Sequence, residues 1–236
     1  MTVIFFDLGQ TLIELSSLRS CMYNSLKKHL PQLPFDYDEL VNSWGHGTHK
    51  LFLDCREKSF MDTRKMHLFS LREVLKSYKS DITDRLARNI VEEVWMDFIE
   101  TSSLYPDVLP VLYQLKQSGY VLGLITDSDL DVAEGIIRRH NLTDFFEVKV
   151  VSGEVKAYKP NPLLFTEAIK LAKCDAYEGV YVGDSEVDVK GAADVGLSTV
   201  IVKRNEIPDV KIGFEPDFEI NSLMELPKIL LEINKI

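Results

Sequence analysis

Asp7 stands directly after the apolar run Val3–Phe6, and later segments carry further polar groups to the ends of similar runs. Thr126-Asp127-Ser128-Asp129 follows one run, Lys159-Pro160 another, and Gly183-Asp184-Ser185 with Asp188 a further one. Brought to one rim, they supply a carboxylate nucleophile, a hydroxyl, an ammonium and two more carboxylates. Asp7, Asp184 and Asp188 would oppose one another's ionisation as a bare cluster, because like charges a few ångströms apart disfavour the charged form. A hard divalent cation resolves that conflict, and oxygen-only ligands without paired His or Cys favour Mg²⁺. Lys159 would add a cation on the other side of an anionic group, and Thr126 would donate a hydrogen bond to it. The set suits phosphoryl transfer, where catalysis is positioning and charge neutralisation. Attack by Asp7 would form an aspartyl-phosphate that water then hydrolyses.

Such convergence needs a scaffold that delivers several strand ends to one place. Val3–Phe6 is short, continuous and rich in β-branched and aromatic residues, which suits a strand buried on both faces of a parallel sheet. Similar runs recur at Tyr120–Ile125, Phe146–Val151, Gly179–Val182, Ser198–Val202 and Phe218–Ile220. Helical patterns lie between them at Asp107–Ser118, Leu130–Arg139, Pro162–Ala172 and Glu186–Val195, with Gly119 and Gly196 as stop signals. The alternation predicts an α/β fold with a doubly wound, mainly parallel Rossmann-like sheet, its ligands beyond the carboxyl ends of the strands.

Residues 15–97 break the rhythm. They show no buried strand but amphipathic helical stretches near Ser17–Leu30, Asp38–Trp44, Thr63–Ser77 and Thr83–Phe98, with Trp44–Lys50 (WGHGTHK) and Pro31–Pro34 expected as loops. Residues 1–14 and 98–236 then form the α/β domain, and 15–97 a helical insertion.

Across 236 residues there are 27 Lys plus Arg and 37 Asp plus Glu, a net charge of -10. That charge gives no global attraction to nucleic acid or an anionic membrane. It is unevenly spread: 15–97 holds 13 basic against 12 acidic residues, and the remainder 14 against 25. Four of the five histidines, His29, His46, His49 and His67, fall in the insertion. Cys21, Cys55 and Cys174 form no C-x-x-C and read as reduced thiols. With no secretory n-region and no membrane-length apolar run, the expected location is the cytoplasm. Nothing in the sequence sets the oligomeric state.

At the level of motifs, the chain resembles the haloacid dehalogenase superfamily. The resemblance rests on FFDLGQTL (Phe5–Leu12), LIT (Leu124–Thr126), the lysine of KPNP (Lys159–Pro162) and GDSEVDVKGA (Gly183–Ala192), in that order. It implies Asp7 as nucleophile and metal ligand, Thr126 as phosphate hydroxyl, Lys159 as charge stabiliser, Asp184 as metal ligand and Asp188 as supporting acid at the metal. It implies Mg²⁺ as cofactor, with the Gly9 carbonyl a further ligand, and a helical cap formed by the insertion. The substrate class is then a small phosphorylated metabolite.

One departure matters. Phosphatases of this superfamily usually carry a second Asp two positions after the nucleophile as general acid/base, and here that position is Gly9. General acid–base catalysis contributes typically ~10²–10⁴-fold, so turnover is slow, the leaving group needs no proton, or another residue substitutes. Asp127, His46 and His49 are the candidates, because Gln10 exchanges no proton near neutral pH. His46, His49, Lys50 and Asp127 are also the candidate substrate contacts beside Thr126 and Lys159. Three alternatives stand beside the phosphatase. A metal-independent 2-haloacid dehalogenase would use the same nucleophile on carbon. A phosphonoacetaldehyde hydrolase-like enzyme would use Lys50 as a Schiff base. A catalytically impaired phosphate-ligand binder would bind without turnover. Trp44 and Trp95 read as packing residues, and Asp129 and Asp131 as residues that start the helix after the second strand.

Overall fold

The computed structural model describes residues 2–34, 36–80, 82–204 and 213–233. Its elements, in chain order, begin with β1 (Val3–Phe6), β2 (Ile13–Glu14), α1 (Ser16–His29), α2 (Tyr37–Glu57), α3 (Thr63–Ser77), α4 (Asp84–Thr101) and β3 (Ser103–Leu104). They continue with α5 (Val108–Gln117), β4 (Val121–Thr126), α6 (Leu130–Arg139), β5 (Val148–Val151), α7 (Ser152–Val155) and α8 (Pro162–Ala172). The last are β6 (Gly179–Gly183), α9 (Glu186–Asp194), β7 (Ser198–Val202), β8 (Phe218–Ile220) and α10 (Leu226–Ile233).

Six strands form one sheet in the order β5-β4-β1-β6-β7-β8, and every described pairing in it is parallel. The inner strands β1, β4 and β6 are short and almost wholly apolar, as a sheet covered by helices on both faces requires, while the edge strands β5 and β8 expose Lys149 and Glu219. The alternation within β1 shows how both faces are filled: Ile4 and Phe6 pack into one hydrophobic core, Val3 and Phe5 into the other. From β1 the chain winds outward to β4 and β5, then returns to the other side for β6, β7 and β8. The reversal places a topological switch point at the carboxyl end of β1, the position where open α/β sheets bind ligands.

Helices α1 to α4 pack on one another and share a core with the sheet face that carries Ile4 and Phe6; Leu26, Trp44, Ile90 and Trp95 belong to it. The two chain crossings into and out of this helical segment are tied together by an antiparallel ribbon, Ile13 opposite Leu104 and Glu14 opposite Ser103. Two-residue strands carry no periodicity, so the ribbon leaves no sequence signal. Residue 97, where the insertion was expected to end, lies inside α4, which continues to Thr101.

The segment Trp44–Lys50, expected as a loop, is corrected to the middle of α2. Its glycines lower helix propensity by ~1 kcal/mol each, and packing outweighs that cost. A Cβ on Gly47 would lie 2.4 Å from Ser70 Oγ, so glycine is what lets α3 approach α2. The Ser70 hydroxyl donates to the Trp44 carbonyl at 2.9 Å, and Thr48 Oγ1 donates to the same oxygen at 3.0 Å. Trp44 itself is fully buried, and its indole N–H donates to the His67 carbonyl at 2.8 Å.

Candidate active site

Asp7 is the first residue beyond β1, and its backbone N–H still donates to Val182 O at 2.9 Å, so β6 fixes the position of its side chain. Thr126 ends β4, and Asp127 follows it. Asp184 follows β6, and Asp188 sits in the first turn of α9, where the Ser185 hydroxyl accepts from its N–H at 3.2 Å. Lys159 precedes a cis peptide to Pro160. Helix α9 is seated against that turn because Gly191 has no side chain: a Cβ there would lie 2.9 Å from Pro160 Cα and Pro160 O.

Side chains that follow β1, β4, β5 and β6 meet at the switch point. Lys159 is almost fully buried, and its ammonium donates to Asp7 Oδ1 at 2.7 Å and to the Tyr181 hydroxyl at 3.1 Å, with Asp188 Oδ2 at 3.4 Å. Carboxylate oxygens of Asp7, Asp184 and Asp188 lie within 4.8 Å of one another. Burial pushes Asp7 up to about 6, against the pull of Lys159 and with an added push from Asp188. Burial alone would lower the Lys159 pKa; Asp188 and Asp7 outweigh it and hold the ammonium well above the usual lysine range. Three converging carboxylate oxygens, with no imidazole or thiolate in the group among the described residues, fit a hard cation of the Mg²⁺ type.

A cavity of about 410 Å³ opens over this cluster, lined by Asp7, Gly9, Thr126, Asp127, Lys159, Asp184 and Asp188 from the sheet side. Its opposite wall is α2, which contributes His49, Phe52 and Arg56. These residues are spaced i, i+3, i+7 and share one helix face. His46 and Lys50, expected as substrate contacts, are exposed and stand outside the cavity wall, His46 a turn before His49 and Lys50 on the neighbouring face of the same helix. The Schiff-base alternative loses its lysine with them. A Lys/Arg residue three turns further along a helix that the sequence reading ended at Trp44 offered no signal, and Arg56 was missed for that reason.

Asp127 accepts the Lys159 backbone N–H at 3.1 Å through Oδ1, while Oδ2 has Arg56 at 3.7 Å. Burial raises its carboxyl to about 7, despite the opposing charges of Lys159 and Arg56. Arg204 is a second residue without a sequence signal. Its guanidinium lies 4.1 Å from the Tyr105 ring centroid, donates to the Thr11 carbonyl at 2.8 Å and 3.0 Å, and pairs with Asp107 at 2.8 Å. It clamps the loop that carries Gly9 and Gln10.

Asp129 and Asp131 start α6 as expected, at its N-cap and in its first turn, but Asp129 also has a second role. It makes no capping bond in α6. Its carboxylate instead accepts the N–H groups of Thr63 at 2.8 Å and Arg64 at 2.9 Å, and so caps α3 across the seam between the sheet and the helical segment. Tyr158, whose hydroxyl donates to Met61 O at 2.7 Å, and Lys156, paired with Asp62 at 3.0 Å, reinforce the same seam.

The family model for haloacid dehalogenase-like hydrolases matches residues 4–202. The chain belongs to that family. It is 39% identical over 137 residues to the glyceraldehyde 3-phosphate phosphatase of Methanopyrus kandleri, covering 56% of this chain and 58% of that protein. It is 28% identical over 151 residues to (S)-2-haloacid dehalogenase 1 of a Pseudomonas species, covering 64% of this chain and 66% of the relative. The chain thus spans less than two thirds of either relative in these matches. Among solved structures, it is similar to a HAD phosphatase from Thermococcus onnurineus, with a TM-score of 0.66, 26% identity and 98% of each chain covered. As a member of this family, the protein is a hydrolase with an α/β core and a helical insertion. Among the described residues, no helix is long and apolar enough to cross a membrane.

Proposed function

We propose that the protein is a Mg²⁺-dependent phosphatase that hydrolyses a small phosphorylated metabolite through an aspartyl-phosphate on Asp7. The observation that carries this reading is the approach of Asp7, Asp184 and Asp188 to within 4.8 Å, with the buried Lys159 ammonium against two of them. Asp7, Asp184 and Asp188 would hold the ion, with the Gly9 carbonyl at the rim of the same cavity. When bound, Mg²⁺ would neutralise charge on the phosphoryl oxygens and relieve the repulsion among the carboxylates.

The side chains divide the remaining work. The Asp7 carboxylate attacks phosphorus; the Asp7 O–P bond forms as the ester O–P bond breaks, and water later cleaves the acyl phosphate to regenerate Asp7. Lys159 neutralises the phosphoryl oxygens as charge builds on them, and the Thr126 hydroxyl donates a hydrogen bond to the same group. Gly9 supplies no acid, so esters whose leaving oxygen departs without a proton are favoured. The helical segment, assigned to residues 15–97 and extended by α4 to Thr101, acts as the cap that closes the cavity.

The test is phosphate release from a panel of small phosphate esters, with Mg²⁺ and with chelator, by wild type and Asp7→Asn. Mg²⁺-dependent turnover that falls on the order of 10⁴-fold or more in Asp7→Asn is expected. Absence of turnover across the panel would sink the proposal. Metal-independent release of chloride from 2-chloropropionate would establish the dehalogenase instead, and saturable ester binding without turnover the impaired binder.

A further inference from the structure

Two cations face the cavity, and they are satisfied to different degrees. Lys159 has a carboxylate at 2.7 Å, a second at 3.4 Å and a hydroxyl at 3.1 Å. Arg56, only 19% exposed, has one carboxylate, Asp127 Oδ2, at 3.7 Å. That separation exceeds hydrogen-bond range. Arg56 Nε and Asp127 Oδ2 are both buried and have no hydrogen-bond partner among the described residues. The guanidinium carbon sits 4.5 Å from the Phe52 ring centroid, so stacking, and not an acceptor, fixes its place. A buried guanidinium N–H without an acceptor is costly. Its planar fork is shaped to take two oxygens of one anion.

We propose that Arg56 binds a second anionic group, borne on the leaving group of the substrate, and so selects short phosphate esters that carry a carboxylate or phosphate at the end remote from Asp7. The assignment rests on Asp7 as the centre of phosphoryl transfer, because it takes the sheet side of the cavity as the phosphoryl end. The Phe52 ring lies under the guanidinium, and His49, one helical turn before Phe52, adds a ring to the same wall. Asp127 competes weakly for Arg56, since its distance leaves the fork free to rotate onto a substrate anion.

The experiment compares kcat/KM, with Mg²⁺ present, for 2-phosphoglycolate against 2-hydroxyethyl phosphate, and for 3-phosphoglycerate against glycerol 1-phosphate. Wild type is expected to favour the doubly anionic member of at least one pair. Arg56→Met should reduce that preference by about 10²-fold, the loss of a bidentate charged hydrogen bond, and Arg56→Lys should reduce it less. A wild type with no preference overturns the inference. So does a preference that Arg56→Met and Arg56→Lys leave unchanged while all esters slow together, because Arg56 would then only brace α2 against Asp127. Calorimetric binding of the same esters to Asp7→Asn, with and without the Arg56 substitution, repeats the comparison without turnover. Arg56-dependent discrimination in binding, with no turnover of any ester by wild type, would refute the phosphatase and leave the anion site standing. Turnover with equal binding of both members of each pair would do the reverse.

Discussion

The floor and the roof of the cavity handle charge in opposite ways. The floor is assembled from strand ends: Asp7 after β1, Thr126 at the end of β4, Asp184 after β6, and Lys159 locked between two carboxylates. Asp7 is held there by a backbone bond to β6, and the Lys159 ammonium has two carboxylates within 3.4 Å. The roof is one face of α2, where Arg56 stands on Phe52 with a single distant carboxylate. A cation already paired, as on the floor, suits chemistry common to many substrates, whereas the less satisfied cation of the roof suits recognition of a particular one.

Removing the floor's cation is the most severe way to break the contrast. Lys159→Met leaves Asp7 and Asp188 buried without their shared counter-ion and should cost about 3–5 kcal/mol of stability. Denaturant unfolding at neutral pH measures it, and Mg²⁺ should restore part of the loss. A cost below ~1 kcal/mol would show that the floor tolerates the vacancy and is no more pre-organised than the roof.

The helical side has its own buried titratable group, away from the cavity. His67 lies between Trp44 and Trp95, with ring centroids 5.6 Å and 5.1 Å away, and burial lowers it from 6.5 to about 4. Because the folded value is the lower one, the unfolded chain takes up the proton first. Its contribution is complete above about pH 6.5 and is lost as pH falls toward 4. The full span corresponds to about 3 kcal/mol. His67→Phe should flatten the fall in melting temperature between pH 7.5 and 5 relative to wild type; parallel curves would show that His67 is protonated without penalty.

At the floor's missing acid, Gly9→Asp asks whether the family's proton donor still fits. A Cβ on Gly9 would meet only the Leu15 methyls, at 3.8 Å, and the backbone there is not in the left-handed region. Hydrolysis of alkyl phosphates should rise about 10²-fold, and that of activated aryl phosphates much less. An equal rise for both classes would mean that protonation of the leaving oxygen is not what Gly9 withholds. The smallest effect expected is at the seam. Asp129→Ala removes the carboxylate that caps α3 and should cost about 1–2 kcal/mol. Hydrogen exchange at the Thr63 and Arg64 amides should accelerate with it; unchanged exchange would show that the roof is held by its apolar contacts alone.

The floor was legible because a strand end is marked twice, by an apolar run and by the polar residue that stops it. Asp7, Thr126 and Asp184 end their runs in this way, and Lys159 and Asp188 follow theirs within a short stretch of chain. The roof was not legible, because a helix face depends on where the helix begins and ends. Gly45 and Gly47 suggested a loop at Trp44–Lys50, which directed attention to His46 and Lys50 and hid the continuation to Arg56. Asp129 was half legible for a related reason: its place at the start of α6 is local, but the N–H groups that donate to it lie in α3, more than sixty residues away along the chain.

By itself, the sequence determined the α/β alternation, the long helical insertion, and the carboxylates, hydroxyl and lysine that form the floor. Those features are local, set by the period of apolar residues and the residues that end each run. Only the tertiary structure decided that Gly47 closes α2 onto α3, that Arg204 clamps the loop after Asp7, and that Arg56 faces Asp7 across the cavity. Each of those depends on how two distant segments approach, and neither residue type nor spacing encodes that distance.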